Sequence, residues 1–304
     1  MVILDVLEAA SECIPTRARA YIKRAEFVQR LYDRLVVARS FREKFGRKPN
    51  LRNPTTFNEK VLYKMLHDRR PILTRIADKI RMRDYVVEKI GAQHVTKAYQ
   101  ICDATSEVDW QTLPQRFVIK ANHGSAMNII VSDKDRLDIA ETVSILDAWL
   151  ARNFYFHLRE WAYRDIRPGI LIEENLSDYA GIAPIDWKFF TFEGRVELLQ
   201  VDLDRFTGQR RNLYDRQLRR LSARSTHPPA ARDPPFPKNI ETMFSLAEQL
   251  GHGLDFVRVD LYNVGGRILV GELTNYPAAG LERYDPLEFE VALGRKWRLP
   301  SRYA

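Results

Sequence analysis

The spacing of apolar residues changes along the chain, and the change marks the element types. Residues 16–45 read as one long helix, with Ile22, Phe27, Leu31 and Leu35 on one stripe and basic residues around it. FGRKPNLRNP then interrupts the pattern with Gly46, Pro49 and Pro54. The next helix starts at Thr56 with Glu59 three residues later, as in a capping box, and runs to about Asp68. Residues 76–90 predict a further helix that Gly91 ends, with Lys79 and Arg83 one turn apart beside Asp78. From Arg116 the period switches to strands. RFVIKANHGSAMNIIVSD reads as strand, loop, strand, and residues 137–156 as a helix with Leu137, Ala140, Ile145, Leu146, Trp149 and Leu150 inward. GILIEENL is a short strand, and DWKFFTFEGRVELLQVDLDR is a hairpin turning at Glu193-Gly194. Five prolines make residues 225–237 an extended loop. Residues 238–250 form an amphipathic helix with Ile240, Met243, Phe244, Ala247 and Leu250 inward. The hairpin 256–277 follows, and the last 25 residues are helical, then irregular.

Composition narrows the class. Of 304 residues, 45% are hydrophobic and 29% charged, as in a folded globular protein with ample core. Cys13 and Cys102 form neither a CxxC motif nor a disulfide framework, so a reducing cytoplasm fits best. The opening MVILDVLEAA is interrupted by Asp5 and Glu8 and lacks a basic start, so it does not read as a signal peptide. The net charge of +8 favours polyanionic partners. Its excess sits in residues 17–48 and in Arg205 to Arg224, without the interleaved aromatics of a nucleic-acid platform, so no nucleic acid is expected. Two readings stay open for the basic first helix. One is a solvated helix packed on the domain, the commoner case; the other is contact with the inner face of an anionic membrane.

The candidate chemistry concentrates in the last hairpin, FVRVDLYNVGGRILVGELTNYP. Arg258 and Asp260 are two apart and share a strand face. Glu272 joins that face only if the NVGG loop is odd in length or the strand is bulged, which the two glycines permit. Carboxylates beside a cation suit a hard-metal site for a phosphate-bearing substrate; a surface salt-bridge ladder is the alternative. Upstream, Lys120 ends an apolar run and is followed at once by the small loop Asn122, His123, Gly124, Ser125, as in phosphate-binding hairpins. Glu173 and Glu174 stand where a strand opens into a loop. Asp186 and Lys188 share a strand face, and Arg205, Arg210 and Arg211 lie just beyond the second strand of that hairpin.

The order of these elements resembles the ATP-grasp enzymes. The wording FGRKPNLRNPTTFNEK, ADKIRMRDYV, FVIKANHGS, DWKFFTFEGRV and RVDLYNVGGRILVGELTNYPAAG is similar to the branch named for teichuronopeptide biosynthesis, the TupA-like proteins, from about residue 40 to residue 298. The resemblance implies an α+β ATP-grasp fold, in which two α+β subdomains clamp ATP with Mg²⁺ on its phosphates. The expected divisions are a helical N-terminal extension (1–48), a preceding region (49–115), a lid-bearing subdomain (116–172) and a metal-bearing subdomain (173–304). It implies Lys79 and Lys120 on the phosphates, Gly124 and Ser125 in a loop over them, and a lid from Lys120 to Met127. Glu173 and the backbone from Glu174 to Leu176 would meet the adenine, Asp186 the ribose, and Lys188 a phosphate. Asp260 and Glu272 would hold the metal, and Arg258 would stabilise the transferring phosphoryl group. Thr274 occupies the usual position of a third, asparagine ligand and Asn275 falls one residue late, so either completes the shell. Arg205, Arg210 and Arg211 would suit an anionic acceptor.

The implied activity is carboxylate–amine ligation through an acyl phosphate, in bacterial cell-surface polysaccharide assembly. Its partners would be a small acid and an amine, or an anionic glycan acceptor. The alternatives are an inactive glycan-binding or scaffold protein of the same fold, and a glycosyltransferase using the DLD at residues 202–204.

Overall fold

The structure, a computed structural model, describes residues 16–177, 182–204, 208–301 and 303, with side chains from residue 26 onward. Arg205 and the side chain of Ile22 fall outside what is described. The chain divides into two compact units, Met1–Lys48 and Pro49–Ala304.

The described part of the first unit is a helix, α1 (Thr16–Phe45). Its expected apolar stripe is not the buried one. Phe27, Leu31 and Leu35 are exposed, whereas Asp33, Val37 and Phe41 are buried. Two stripes share the four-residue spacing, and periodicity cannot rank them. The Arg47 guanidinium lies over the Phe41 ring, 5.0 Å from its centroid.

In the second unit, α2 (Phe57–His67) carries the full capping box. The Thr56 hydroxyl accepts from the Glu59 N–H, and the Glu59 carboxylate accepts from the Thr56 N–H. Beside it lies α8 (Leu287–Lys296). Lys60 Nζ donates to the carbonyls of Gly294 (2.8 Å) and Trp297 (2.6 Å), satisfying carbonyls at the helix end.

The single helix expected over 76–90 is two, α3 (Pro71–Ala77) and α4 (Arg81–Ile90). Asp78 makes the break. Its carboxylate accepts from the Ile80 and Arg81 N–H groups at 2.9 and 3.3 Å, and from Asn122 Nδ2 at 2.9 Å. Lys79 therefore sits in a turn, not one helical turn before Arg83.

One antiparallel sheet has the order β1-β4-β2-β3, from β1 (Ala98–Cys102), β2 (Phe117–Ala121), β3 (Asn128–Val131) and β4 (Ile170–Glu174). No strand was expected before Arg116. The edge strand β1, AYQIC, is mostly half-buried and lacks alternation. One sheet face packs Phe117, Ile119, Ile170 and Ile172 with Leu146 of α5 (Ile139–Leu150). That helix stops at Leu150, Ala140 and Ile145 are exposed rather than inward, and a separate turn, α6, covers Tyr155–Leu158.

The second sheet has the order β7-β6-β5-β8-β9. Its strands are β5 (Asp186–Phe192), β6 (Arg195–Leu203), β7 (Arg210–Tyr214), β8 (Phe256–Val264) and β9 (Arg267–Thr274). The turns fall at Glu193-Gly194 and Gly265-Gly266, all four residues at positive φ. Trp187, Phe189, Leu199, Val201, Val257, Val259 and Leu261 form an apolar face, covered by α7 (Ile240–Gly251) with all five of its expected inward residues buried. β7 escaped the sequence reading because Arg210, Arg211 and Asn212 mask its alternation.

Gly294 marks the closest approach of α8 to the start of α2. A Cβ there would lie 2.3 Å from the Thr55 carbonyl oxygen and 2.9 Å from the Phe57 nitrogen, both backbone. Gly294→Ala is expected to cost roughly 1–3 kcal/mol of unfolding free energy, as overpacking does. Urea denaturation checks this; an unchanged midpoint would contradict the packing described.

Candidate active site

The polar faces of the two sheets bound a cleft of about 380 Å³. From the first sheet come Val118, Lys120, Asn128, Ile130 and Glu173, which alternation and register place on the face opposite the core. From the second come Asp186, Lys188, Asp260, Tyr262 and Glu272. Of the other expected residues, Lys79, Ser125, Glu174 and Leu176 also line the cleft.

Glu272 reaches that face through a bulge. Val264 pairs with Arg267 and Leu261 with Val270, but Asp260 pairs with Glu272, so Gly271 is an extra residue. The expected device is present, although it lies in β9 and not in the NVGG turn. A Cβ on Gly271 would come within 2.6 Å of the Tyr262 ring.

Asp260 is the centre of the charged face. Arg258 donates to its two oxygens, both at 2.7 Å, and Lys188 Nζ donates at 2.7 Å. Lys188 also binds Asp186 at 2.6 Å. Burial is the largest influence on each and opposes its charge. The two cations nevertheless hold the Asp260 pKa below the usual range, and Asp186 with Asp260 holds that of Lys188 above it. Glu272 lies 3.9 Å from Arg258 and is the more open carboxylate.

On the opposite wall Lys120 and Thr96 bond the Glu173 carboxylate, with Arg83 at 3.4 Å. Burial alone would raise the pKa of Glu173, but these partners lower it. The Glu173 side chain is thus committed to cations rather than open to a base, while Glu174 bonds Arg267 at 3.1 and 3.2 Å. Lys79 donates to the Gly124 carbonyl. Burial lowers the Lys79 pKa, and Glu272 opposes the shift.

The expected lid is anchored over part of its length. Asn122 exchanges hydrogen bonds with Gly169, and His123 Nε2 lies 3.0 Å from the Trp149 carbonyl oxygen. Ser125 and Ala126 form the exposed tip, and Gly124 is buried beneath it.

Several expected residues stand elsewhere. Arg211 is locked to Asp202 at 2.5 and 2.9 Å and to Glu282 at 3.1 Å, so it is not an open acceptor site. The same bonds occupy the first aspartate of the DLD. Arg210, on the outer strand β7, donates to the Pro229 carbonyl. Thr274 shares the face of Glu272 and accepts from Arg258 at 3.0 Å. Asn275 does not join the cluster: it is buried and donates to the Leu73 carbonyl at 2.9 Å.

Against this geometry, the family described as TupA-like ATPgrasp matches residues 59–298. The chain belongs to the TupA-like ATP-grasp family. No curated protein matches it. Solved structures similar to it include D-alanine–D-alanine ligase from Bacillus anthracis complexed with ATP, at 14% identity and TM-score 0.40, covering 67% of this chain and 56% of that one. Another is the ATP-grasp ligase PsnB complexed with minimal precursor, at 10% identity and TM-score 0.40, covering 68% and 55%. A third is N5-carboxyaminoimidazole synthase from Aspergillus clavatus in complex with ADP and 5-aminoimidazole ribonucleotide, at 13% and 0.38, covering 66% and 44%. The chain therefore spans between 44% and 56% of the length of these proteins.

One neighbour of the ATP-grasp cleft was not expected. Glu160 is only 8% exposed and makes no capping bond to the turn that follows it. Its pKa is pushed up to about 8, first by burial and then by Glu272. A lone glutamate in REWAY carries no periodic or motif signal, so only its surroundings single it out. The folded protein retains a proton on Glu160 that the unfolded chain releases near the ordinary 4.5. That contribution to stability is full below about pH 4.5 and is lost as pH rises towards 8. Glu160→Gln, which stays neutral, is expected to match wild type in melting temperature near pH 4.5 and to exceed it at pH 8. Equal melting temperatures at both pH values would refute the shift.

Proposed function

We propose that the protein is an ATP- and Mg²⁺-dependent ligase that joins a carboxylic acid to an amine and acts in building or modifying a bacterial cell-surface polysaccharide. The observation that carries the reading is the opposition of Lys79 and Lys120 on one side of the cleft to Asp260 and Glu272 on the other. The cations suit phosphate oxygens. The polysaccharide setting rests on the family alone.

The donor set fits Mg²⁺. Asp260 and Glu272 face each other across the strands and would be its oxygen ligands, and Mg²⁺ is commonly held by one or two carboxylates together with substrate phosphates. When bound, the ion would offset phosphate charge and polarise the oxygens of the transferring group. Lys120 would share its ammonium between Glu173 and a phosphate. Arg258 would keep Asp260 ionised and oriented.

In the reaction, an acid oxygen attacks the γ-phosphorus and ADP leaves. The amine nitrogen then attacks the acyl carbon, phosphate leaves, and the nitrogen gives up a proton. Ser125 and Ala126 are the part of the loop suited to covering the phosphates and excluding water.

One observation favours a second reading, a fold that binds nucleotide without turnover: both Asp260 oxygens already accept from Arg258 and Lys188. ADP release with panels of acids and amines separates the two. Asp260→Asn and Glu272→Gln are each expected to lower turnover by about a hundredfold or more, the scale of losing one preorganised charge partner. Equal turnover in wild type and both variants would sink the metal assignment, whereas metal-dependent ATP binding without turnover would favour the second reading. Gly271→Ala, by driving the Tyr262 ring out of place, is expected to weaken ATP binding about tenfold, read by calorimetry.

A further inference from the structure

The exposed side of α1 has no role in the cleft. Phe27, Val28, Leu31, Tyr32 and Leu35 are all more than half exposed, from 51% to 68%. At about 100° per residue they occupy an arc of roughly 140° on the helix. Asp33, Val37 and Phe41 are buried and lie outside that arc. Five large apolar groups together on a surface mark an interaction site.

The surrounding charge selects the occupant. Arg34 flanks one edge of the stripe, and Arg39 and Arg42 continue its arc towards the C-terminal end, all three exposed. Of the helix's three acidic residues, Glu26 and Asp33 lie off the stripe, Asp33 buried, and Glu43 is paired with Arg39 at 2.7 Å. Residues 17–48 carry eleven basic and three acidic side chains, +8 by difference, which equals the net charge of the whole chain. A second copy of so basic a helix would be repelled. An apolar stripe edged by arginines instead fits a bilayer interface, with the apolar groups at the acyl boundary and the guanidinium groups among anionic headgroups. Among the described residues no helix is long and apolar enough to cross a membrane, in keeping with a helix that lies on the surface.

We propose that α1 docks lengthwise on an anionic lipid bilayer through Phe27, Val28, Leu31, Tyr32 and Leu35, with its arginines on the headgroups. This reading is independent of the ligase proposal. The test is co-sedimentation of the full chain with phosphatidylcholine vesicles, with and without a large fraction of phosphatidylglycerol. The Phe27→Ser, Leu31→Ser, Leu35→Ser triple variant is run in parallel, and its circular dichroism is compared with wild type. The wild type is expected to pellet with anionic vesicles, less so with neutral ones or at high salt, and the triple variant to bind about tenfold more weakly or worse. Binding equal for both vesicle types, or equal for both proteins, overturns the proposal. So does a wild-type dimer on gel filtration that the triple variant abolishes while vesicles capture neither.

Discussion

Gly271 is one residue too many for regular pairing of β8 with β9, and the chemistry of the cleft depends on that irregularity. Side chains alternate between faces with a period of two, so a regular ladder would place Glu272 on the opposite face. That face is the apolar one, against α7, where an unpaired carboxylate is costly. The bulge instead sets Glu272 across from Asp260. The position must be glycine because the Tyr262 ring fills the space a methyl would need. One backbone insertion thus decides whether the second sheet carries one cleft carboxylate on this hairpin or two.

The polar face that results is held together by paired charges. Asp186, Lys188, Asp260 and Arg258 form a continuous chain of ion pairs, largely removed from water. Such pairs contribute little net stability, because desolvation offsets most of the attraction. They are costly to break, since a lost partner leaves a buried charge uncompensated. The network therefore supplies orientation more than stability. It keeps Asp260 ionised at neutral pH and fixes where its oxygens lie. On the other wall Glu173 fixes where the Lys120 ammonium lies. Glu160 is the contrast: burial, and then the charge of Glu272, push its pKa up rather than down.

The two units divide the electrostatics of the chain. The net positive charge of residues 17–48 is as large as that of the whole protein. The cleft, by comparison, intermixes lysines and carboxylates at hydrogen-bond distance, so its field is local. Global charge is therefore a guide to what α1 meets and not to what the cleft binds.

The sequence by itself determined whatever depends on neighbours along the chain. The capping box at Thr56 and Glu59, the inward face of α7 and the glycine turns of both long hairpins follow from local sterics and hydrogen bonding, and all are observed. So do the shared faces of Asp186 with Lys188 and of Arg258 with Asp260, which need only the two-residue repeat of a strand. Tertiary structure decided whatever depends on distant partners. Asp78 breaks a helix with the help of Asn122, and β1 and β7 are strands because β4 and β6 accept their hydrogen bonds. Arg211 is spent on Asp202 and Glu282, and Asn275 turns to Leu73 while Thr274 stays with Glu272. Register, ion-pair partners and the ionisation of Glu160 are properties of packed surroundings, which no local pattern contains.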